Sequence, residues 1–218
     1  MQITIREPGS AITHFVGMMM AIIAAAPLMA KAAGDAGTDR IAFFALAVFI
    51  GSMIALYGAS ALYHSVTVKD SILKVFRKLD HMMIFVLIAG SYTPVCLVIL
   101  GDRRGYLLLA AVWSIAIVGM LIKMCWITCP KWFSSILYIA MGWACLAVFG
   151  TLWNTLSRSA FLWLLAGGIF YTVGGVIYAL KLPIFNAKHK NFGSHEIFHL
   201  FVMGGSICHF IFMYLYVA

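Results

Sequence analysis

His195 and His199 stand four residues apart in the stretch Gly193-Ser194-His195-Glu196-Ile197-Phe198-His199, where an otherwise apolar run begins. Residues spaced by four share one helical face, so both imidazoles can converge on a single metal ion. Two imidazoles do not complete a metal shell, and the other histidines are the first place to look for the rest. His64 ends an apolar run that starts near Ile41, with Ser60 one turn earlier on the same face. Asp80 and His81 stand just ahead of another run, which starts at Met82, and His14 lies near the start of the first.

The elements that must position these groups are membrane helices. Of 218 residues, 64% are hydrophobic and 10% are charged, and the mean hydropathy is +1.01. These values exclude an ordinary soluble domain. Seven apolar runs are long enough to cross roughly 30 Å of hydrocarbon as helices. They cover Ile12 to Ala32, Ile41 to Tyr63, Met82 to Leu100, Tyr106 to Trp126, Trp132 to Trp153, Ala160 to Leu180 and Glu196 to Val217. The breaks between them are too short for a further domain. The expected fold is therefore all-α and integral to the membrane: one seven-transmembrane helix bundle over residues 1–218. The first run is longer than the apolar stretch of a signal peptide, and its removal would leave six spans, so it is read as a span.

Orientation follows from the basic residues. One side of the bundle holds Arg6, Lys69, Lys74, Arg77, Lys78, Lys123, Lys131, Lys181, Lys188 and Lys190; the other holds Lys31, Arg40, Arg103, Arg104 and Arg158. Ten against five places the N-terminus in the cytoplasm and the C-terminus outside. The net charge of +8 then reports topology and attraction to anionic headgroups, and nucleic acid is not an expected partner. Membrane lipids are, as environment and as substrate. The five cysteines, Cys96, Cys125, Cys129, Cys145 and Cys208, are odd in number and lie in or beside spans, which suits packing better than disulfides. Cys125 and Cys129 leave a minor metal or redox role open. Pro27 and Pro94 are expected to bend the first and third spans. Gly167, Gly168, Gly174 and Gly175 suggest close helix contact in the sixth.

Chain direction alternates from span to span, so His64, Asp80, His195 and His199 all fall at the cytoplasmic ends of their helices. Ionisable groups at membrane depth are costly and face partners inside the bundle. Four of them at one level point to metal coordination, with a metal-free hydrogen-bonded cluster as the alternative. Three neutral imidazoles form a stable shell for zinc and leave a fourth position open to water, whose pKa zinc lowers to about 7. Asp80 is the candidate to accept that water's proton. Its alternative role is a helix-start charge paired with Arg77 or Lys78. Ser60 can orient His64 or a substrate oxygen, or bond its own backbone. His195-Glu196-Ile197-Phe198-His199 also satisfies the H-E-x-x-H pattern of metalloproteases. An intramembrane protease of that kind would take a third ligand from a later Asp, and no Asp follows Asp102. Glu196 is therefore read as a helix-start charge.

Three blocks, Ser60-Ala61-Leu62-Tyr63-His64, Lys78-Leu79-Asp80 and Ser194-His195-Glu196-Ile197-Phe198-His199 followed by His209, resemble the motifs of the hemolysin III family. Glu7-Pro8-Gly9-Ser10-Ala11-Ile12-Thr13-His14 is similar to the start of its bacterial branch. The wider group includes the adiponectin and progestin receptors and, more remotely, the alkaline ceramidases. The resemblance implies zinc on His64, His195 and His199, with Asp80 on the zinc-bound water and Ser60 behind the ligands. His209 matches a family position roughly 15 Å deeper, at 1.5 Å rise per residue, too far for the same ion. His14 and His81 carry no ligand role, and His189 reads as an ordinary loop residue.

The leading expectation is a zinc-dependent membrane hydrolase acting on a lipid amide or ester, as a ceramidase does, from the cytoplasmic leaflet. The family name implies the other expectation: a membrane-perturbing, pore-forming or cytolytic protein, or a regulator of membrane physiology, in which zinc is structural. A third option is ligand sensing without chemistry.

Overall fold

The computed structural model describes residues 5–34, 39–180 and 192–218, and all regular structure among them is helical. Helix α1 is Pro8–Ala33, α2 is Arg40–Ser65 and α3 is Asp70–Pro94, continued by a π-helical segment Val95–Leu100. Helix α4 is Arg103–Cys125, and α5, Lys131–Gly142, tightens into a 3-10 segment, Trp143–Val148, before α6, Phe149–Thr155. Helix α7 is Arg158–Leu180 and α8 is Ser194–Tyr216. With α3 and its π segment as one span and α5 to α6 as another, seven are long and apolar enough to cross a membrane.

Local chemistry starts and stops these helices. The Asp39 side chain accepts from the Ile41 and Ala42 amides at 2.9 and 3.3 Å, and Asp102 accepts from Gly105 N at 2.9 Å. Each satisfies amides that have no partner within the helix. Gly101, at φ 56°, ends the third span in the left-handed conformation that glycine adopts without strain. Helix α3 begins twelve residues before its expected apolar start at Met82, with Asp70 as its first residue. The negative charge suits the positive helix end, and Lys74, Arg77 and Lys78 ride on the same polar extension.

Pro94 marks the change from α to π geometry in the third span. The break inside the fifth span has a partner in Tyr92. Its hydroxyl donates to Gly142 O at 2.6 Å and accepts from Cys145 N at 2.9 Å, so backbone groups freed at the change of pitch stay bonded.

Helix α2 packs on α1 and α3, α3 on α4, and α8 on both α7 and α1. Buried Leu46, Phe49 and Tyr57 of α2 meet Phe85 of α3 and Phe212 of α8 in one core. Exposed Ile23, Phe44, Leu107 and Leu162 face outward, as helices solvated by lipid require. Small residues set the close approaches: Gly167 lies against His209 and Gly174 against Phe201, whereas Gly175 meets Ile139 and Gly168 faces open space. Glu7, just ahead of α1, contacts His64 at the end of α2, and Ser10 contacts Glu196 at the start of α8. Lys31 and Tyr214 meet at the opposite end. Helix α1 is thus antiparallel to α2 and parallel to α8, as an odd number of crossings requires.

Of the ten basic residues assigned to the cytoplasm by charge, seven lie among the described residues: Arg6, Lys69, Lys74, Arg77, Lys78, Lys123 and Lys131. Lys123 is buried against Cys129 and Ser134, and Lys181, Lys188, His189 and Lys190 lie outside the described residues. A reporter joined after Ala218 is expected to be active only on the outer face; cytoplasmic activity would reverse the orientation. A second test concerns packing. A Cβ on Gly119 would fall 2.3 Å from Phe85, whose ring is fully buried. Gly119→Ala is expected to cost about 1–3 kcal/mol in thermal unfolding in detergent. Gly51→Ala, with nothing within 4 Å, should cost nothing; equal losses would contradict this packing.

Candidate metal centre

His64 reaches the centre from the last turn of α2, and His195 and His199 reach it from the first turns of α8. One ring nitrogen from each lies within 4.8 Å of the others. His64 and His199 are each only 2% exposed. The Nε2 atoms of His64 and His195 are 3.3 Å apart. Two ligands about 2.0–2.1 Å from a tetrahedral zinc stand roughly 3.3–3.4 Å from each other, so this separation matches one edge of such a site.

Hydrogen bonding assigns which nitrogens face the centre. His64 Nδ1 is paired with the Glu7 carboxylate, which can only accept, so the ring carries its proton on Nδ1. His199 Nδ1 stands 3.2 Å from Thr13 Oγ1. The Thr13 hydroxyl spends its proton on the carbonyls of Gly9 and Ser10, at 2.9 and 3.0 Å, so it accepts from His199. Both rings therefore keep their lone pair on Nε2, and that of His64 faces His195. Lone pairs facing one another in a buried site repel unless a cation or a proton lies between them. These residues fit a metal ion, and the outer contacts on His64 and His199 are of the kind that orient metal-bound imidazoles.

The Glu7 carboxyl is half-exposed ahead of α1. The His64 hydrogen bond holds it below its ordinary range, against desolvation, which raises it; Arg6 adds to the lowering.

A cavity of about 1120 Å³, counting its open mouth, begins at this cluster. His195, His199, His14, Ser60 and Asp80 line it, and His209 lines it farther along α8. Most of the remaining wall is apolar, including Leu56, Ile84, Ile88 and Val202. Asp80 is buried, and the side chain nearest its carboxylate is His81, whose Nδ1 lies at 3.2 Å, rather than Arg77 or Lys78. His81 Nδ1 also lies 2.9 Å from Arg77 O. Both nitrogens of His14 are buried without a hydrogen-bond partner, and the buried Ser60 hydroxyl lies beside the Asp80 carboxylate. His14 stacks on His199, with ring centroids 3.5 Å apart and planes 7° from parallel. Glu196 accepts from Ser10 Oγ at 2.5 Å and Gly193 N at 2.7 Å, which makes it a helix-start carboxylate outside the histidine group. His209 Nε2 lies 3.2 Å from Leu164 O, so it too belongs elsewhere. All five cysteines are free and outside the histidine group.

Residue-type reasoning missed Glu7 and Thr13 as contacts of this centre, and Ser10 as the partner of Glu196. A signal was present. Positions 7, 10, 13 and 14 follow the three- and four-residue steps of one helical face, and polar groups on one face of an apolar span call for polar partners. Nothing in the spacing names His64 and Glu196 as those partners, because both are distant in sequence.

Fold and site together define a seven-helix membrane protein with three convergent histidines at one end of its bundle. The model of a family described as haemolysin-III related matches residues 2–210. Hemolysin-3 of Bacillus cereus is 36% identical over 211 residues, covering 97% of this chain and 91% of the relative. A hemolysin-3 homolog of Bacillus subtilis (strain 168) is 37% identical over 208 residues, covering 95% and 92%. The adiponectin receptor protein of Drosophila melanogaster is 26% identical over 225 residues, with 94% of this chain matching 49% of that longer protein. The chain belongs to the haemolysin-III-related family, is related to the adiponectin receptors, and is a multi-pass protein of the cell membrane.

Purified protein is expected to hold about one divalent metal ion per chain. His64→Ala, His195→Ala and His199→Ala should each lose it, measured by elemental analysis. Full occupancy in any one variant would remove that residue from the ligand set.

Proposed function

We propose that the protein is a zinc-dependent membrane hydrolase that cleaves a lipid amide or ester. One observation carries this reading: three imidazoles suited to a metal open on a largely apolar cavity that a buried carboxylate, Asp80, also lines. A purely structural ion would not need a carboxylate beside it in a chamber shaped for an apolar chain. Zinc held by His64, His195 and His199 supplies a Lewis acid for a carbonyl oxygen and makes water a stronger acid.

The chain's own residues do the rest. The apolar wall takes up an acyl chain and excludes bulk water. Ser60, whose buried hydroxyl lines the cavity beside Asp80, donates to the carbonyl oxygen or orients the substrate. Asp80 accepts the proton of the attacking water and returns it to the leaving amine or alcohol. His81 packs against the Asp80 carboxylate, with Nδ1 at 3.2 Å, and limits its rotation. Arg6, Lys69 and Lys131 at the same end support a site that opens to the cytoplasmic leaflet.

A second reading draws on the relatives. Two Bacillus proteins of this family carry the name hemolysin, which favours membrane perturbation with structural zinc. Lipidomics separates the two. Membranes with wild-type protein, compared with a His195→Ala variant, should show metal-dependent loss of one lipid species and gain of its cleavage products. An unchanged lipid profile together with metal-dependent vesicle leakage would favour the second reading. Within the hydrolase reading, Asp80→Asn should keep zinc while hydrolysis falls by about 10²- to 10⁴-fold. Equal loss of zinc and activity would instead make Asp80 a metal ligand.

A further inference from the structure

We infer that Glu7 is a positioning residue of the metal centre, which fixes the His64 ring so that its Nε2 lone pair points at the ion and thereby sets metal affinity. This rests on reading the three histidines as a metal site.

The local sequence puts Glu7 where it can do this. Pro8 follows it, and a residue before proline is disfavoured in helical conformation. Glu7 accordingly sits at φ −135°, ψ 79°, just outside α1. Its side chain is left free to turn to the neighbouring helix end. The backbone docks there too: Glu7 N donates to His64 O at 3.0 Å. Arg6 secures the same corner, donating to Tyr63 O at 2.9 Å and covering the Tyr63 ring at 4.2 Å. Arg6 also lies 3.6 Å from Glu7 Oε1, leaving Oε2 to the His64 ring.

The chemical consequence is selection of one tautomer. A neutral imidazole has one N–H, and a carboxylate at Nδ1 keeps it there. The same contact orients the ring and strengthens Nε2 as a donor to a metal. The segment ahead of and within the first turns of α1 thus serves two of the three imidazoles. Glu7 holds His64 with a charge, and Thr13 holds His199 with a hydroxyl. Since Glu7 is half-exposed while His64 is buried, the carboxylate remains hydrated on one side and holds the ligand on the other.

The test compares wild type, Glu7→Ala, Glu7→Gln and Arg6→Ala as full-length proteins in detergent. Zinc dissociation constants come from competition with a chromophoric chelator. Ligand-field spectra come from cobalt-loaded protein, and melting temperatures are read with and without zinc. Glu7→Ala is expected to weaken zinc binding about 10- to 100-fold, to alter the cobalt spectrum and to shrink the zinc-induced rise in melting temperature. The metal-free melting temperature should stay at the wild-type value. Glu7→Gln keeps every backbone contact and loses only the charge, so it should fall between, as should Arg6→Ala. If Glu7→Ala fails to accumulate, the weakened affinity and altered spectrum of Glu7→Gln decide. Wild-type affinity and spectrum in the Glu7 variants would overturn the role of Glu7 while leaving the metal site intact. An equal drop in metal-free stability would also overturn it, by reducing Glu7 to a structural clasp. Wild type that binds no zinc would overturn the metal reading and the role of Glu7 together.

Discussion

Three imidazoles are held in a membrane bundle with their nitrogens within 4.8 Å of one another, and two of them carry partners that turn a lone pair toward the centre. Removing such groups from water costs free energy unless they find a partner. Each imidazole nitrogen facing the centre is an acceptor that the other imidazoles cannot satisfy without a shared cation or proton. The packing of the bundle holds them there regardless. Helices α1, α2 and α8 meet at this end, through Glu7 against His64, Ser10 against Glu196 and His64 against His195.

Seven crossings are what make the meeting possible. An even number would send α8 in the opposite direction and move His195 and His199 to the far end, away from His64. With seven, α1 and α8 run parallel, so the polar start of one lies beside the polar start of the other. Ser10 then reaches Glu196, Thr13 reaches His199, and His14 stacks on His199. The cavity follows from the same geometry. Between α2, α3, α5, α7 and α8 it widens into apolar walls, with Asp80 and Ser60 near the histidines and His209 farther along α8.

The spans were legible because twenty apolar residues in a row have one stable arrangement in lipid. The histidine set was legible because alternating direction fixes depth, and depth groups residues far apart in sequence. Three features were not. The polar start of α3 at Asp70 carries no apolar signal, and its helicity comes from the charge at its first turn and from the span it continues into. The 3-10 segment in the fifth span depends on the Tyr92 hydroxyl arriving from another helix. Glu7 and Thr13 touch the ligands only because α1 closes the ring against α2 and α8, and that closure is a property of packing. Asp80 was expected to serve the zinc-bound water, or else to pair with Arg77 or Lys78 at the helix start; the side chain that lies against it is that of the adjoining His81, at 3.2 Å.

The central claim is that His64, His195 and His199 share one ion and leave a position open. X-ray absorption at the zinc edge of purified, zinc-loaded protein tests it most directly. The account requires four nitrogen or oxygen ligands at about 2.0–2.1 Å, with outer-shell scattering that fits three imidazoles and one non-histidine oxygen. Sulfur at about 2.3 Å, or an outer shell that fits fewer than three imidazoles, would contradict it.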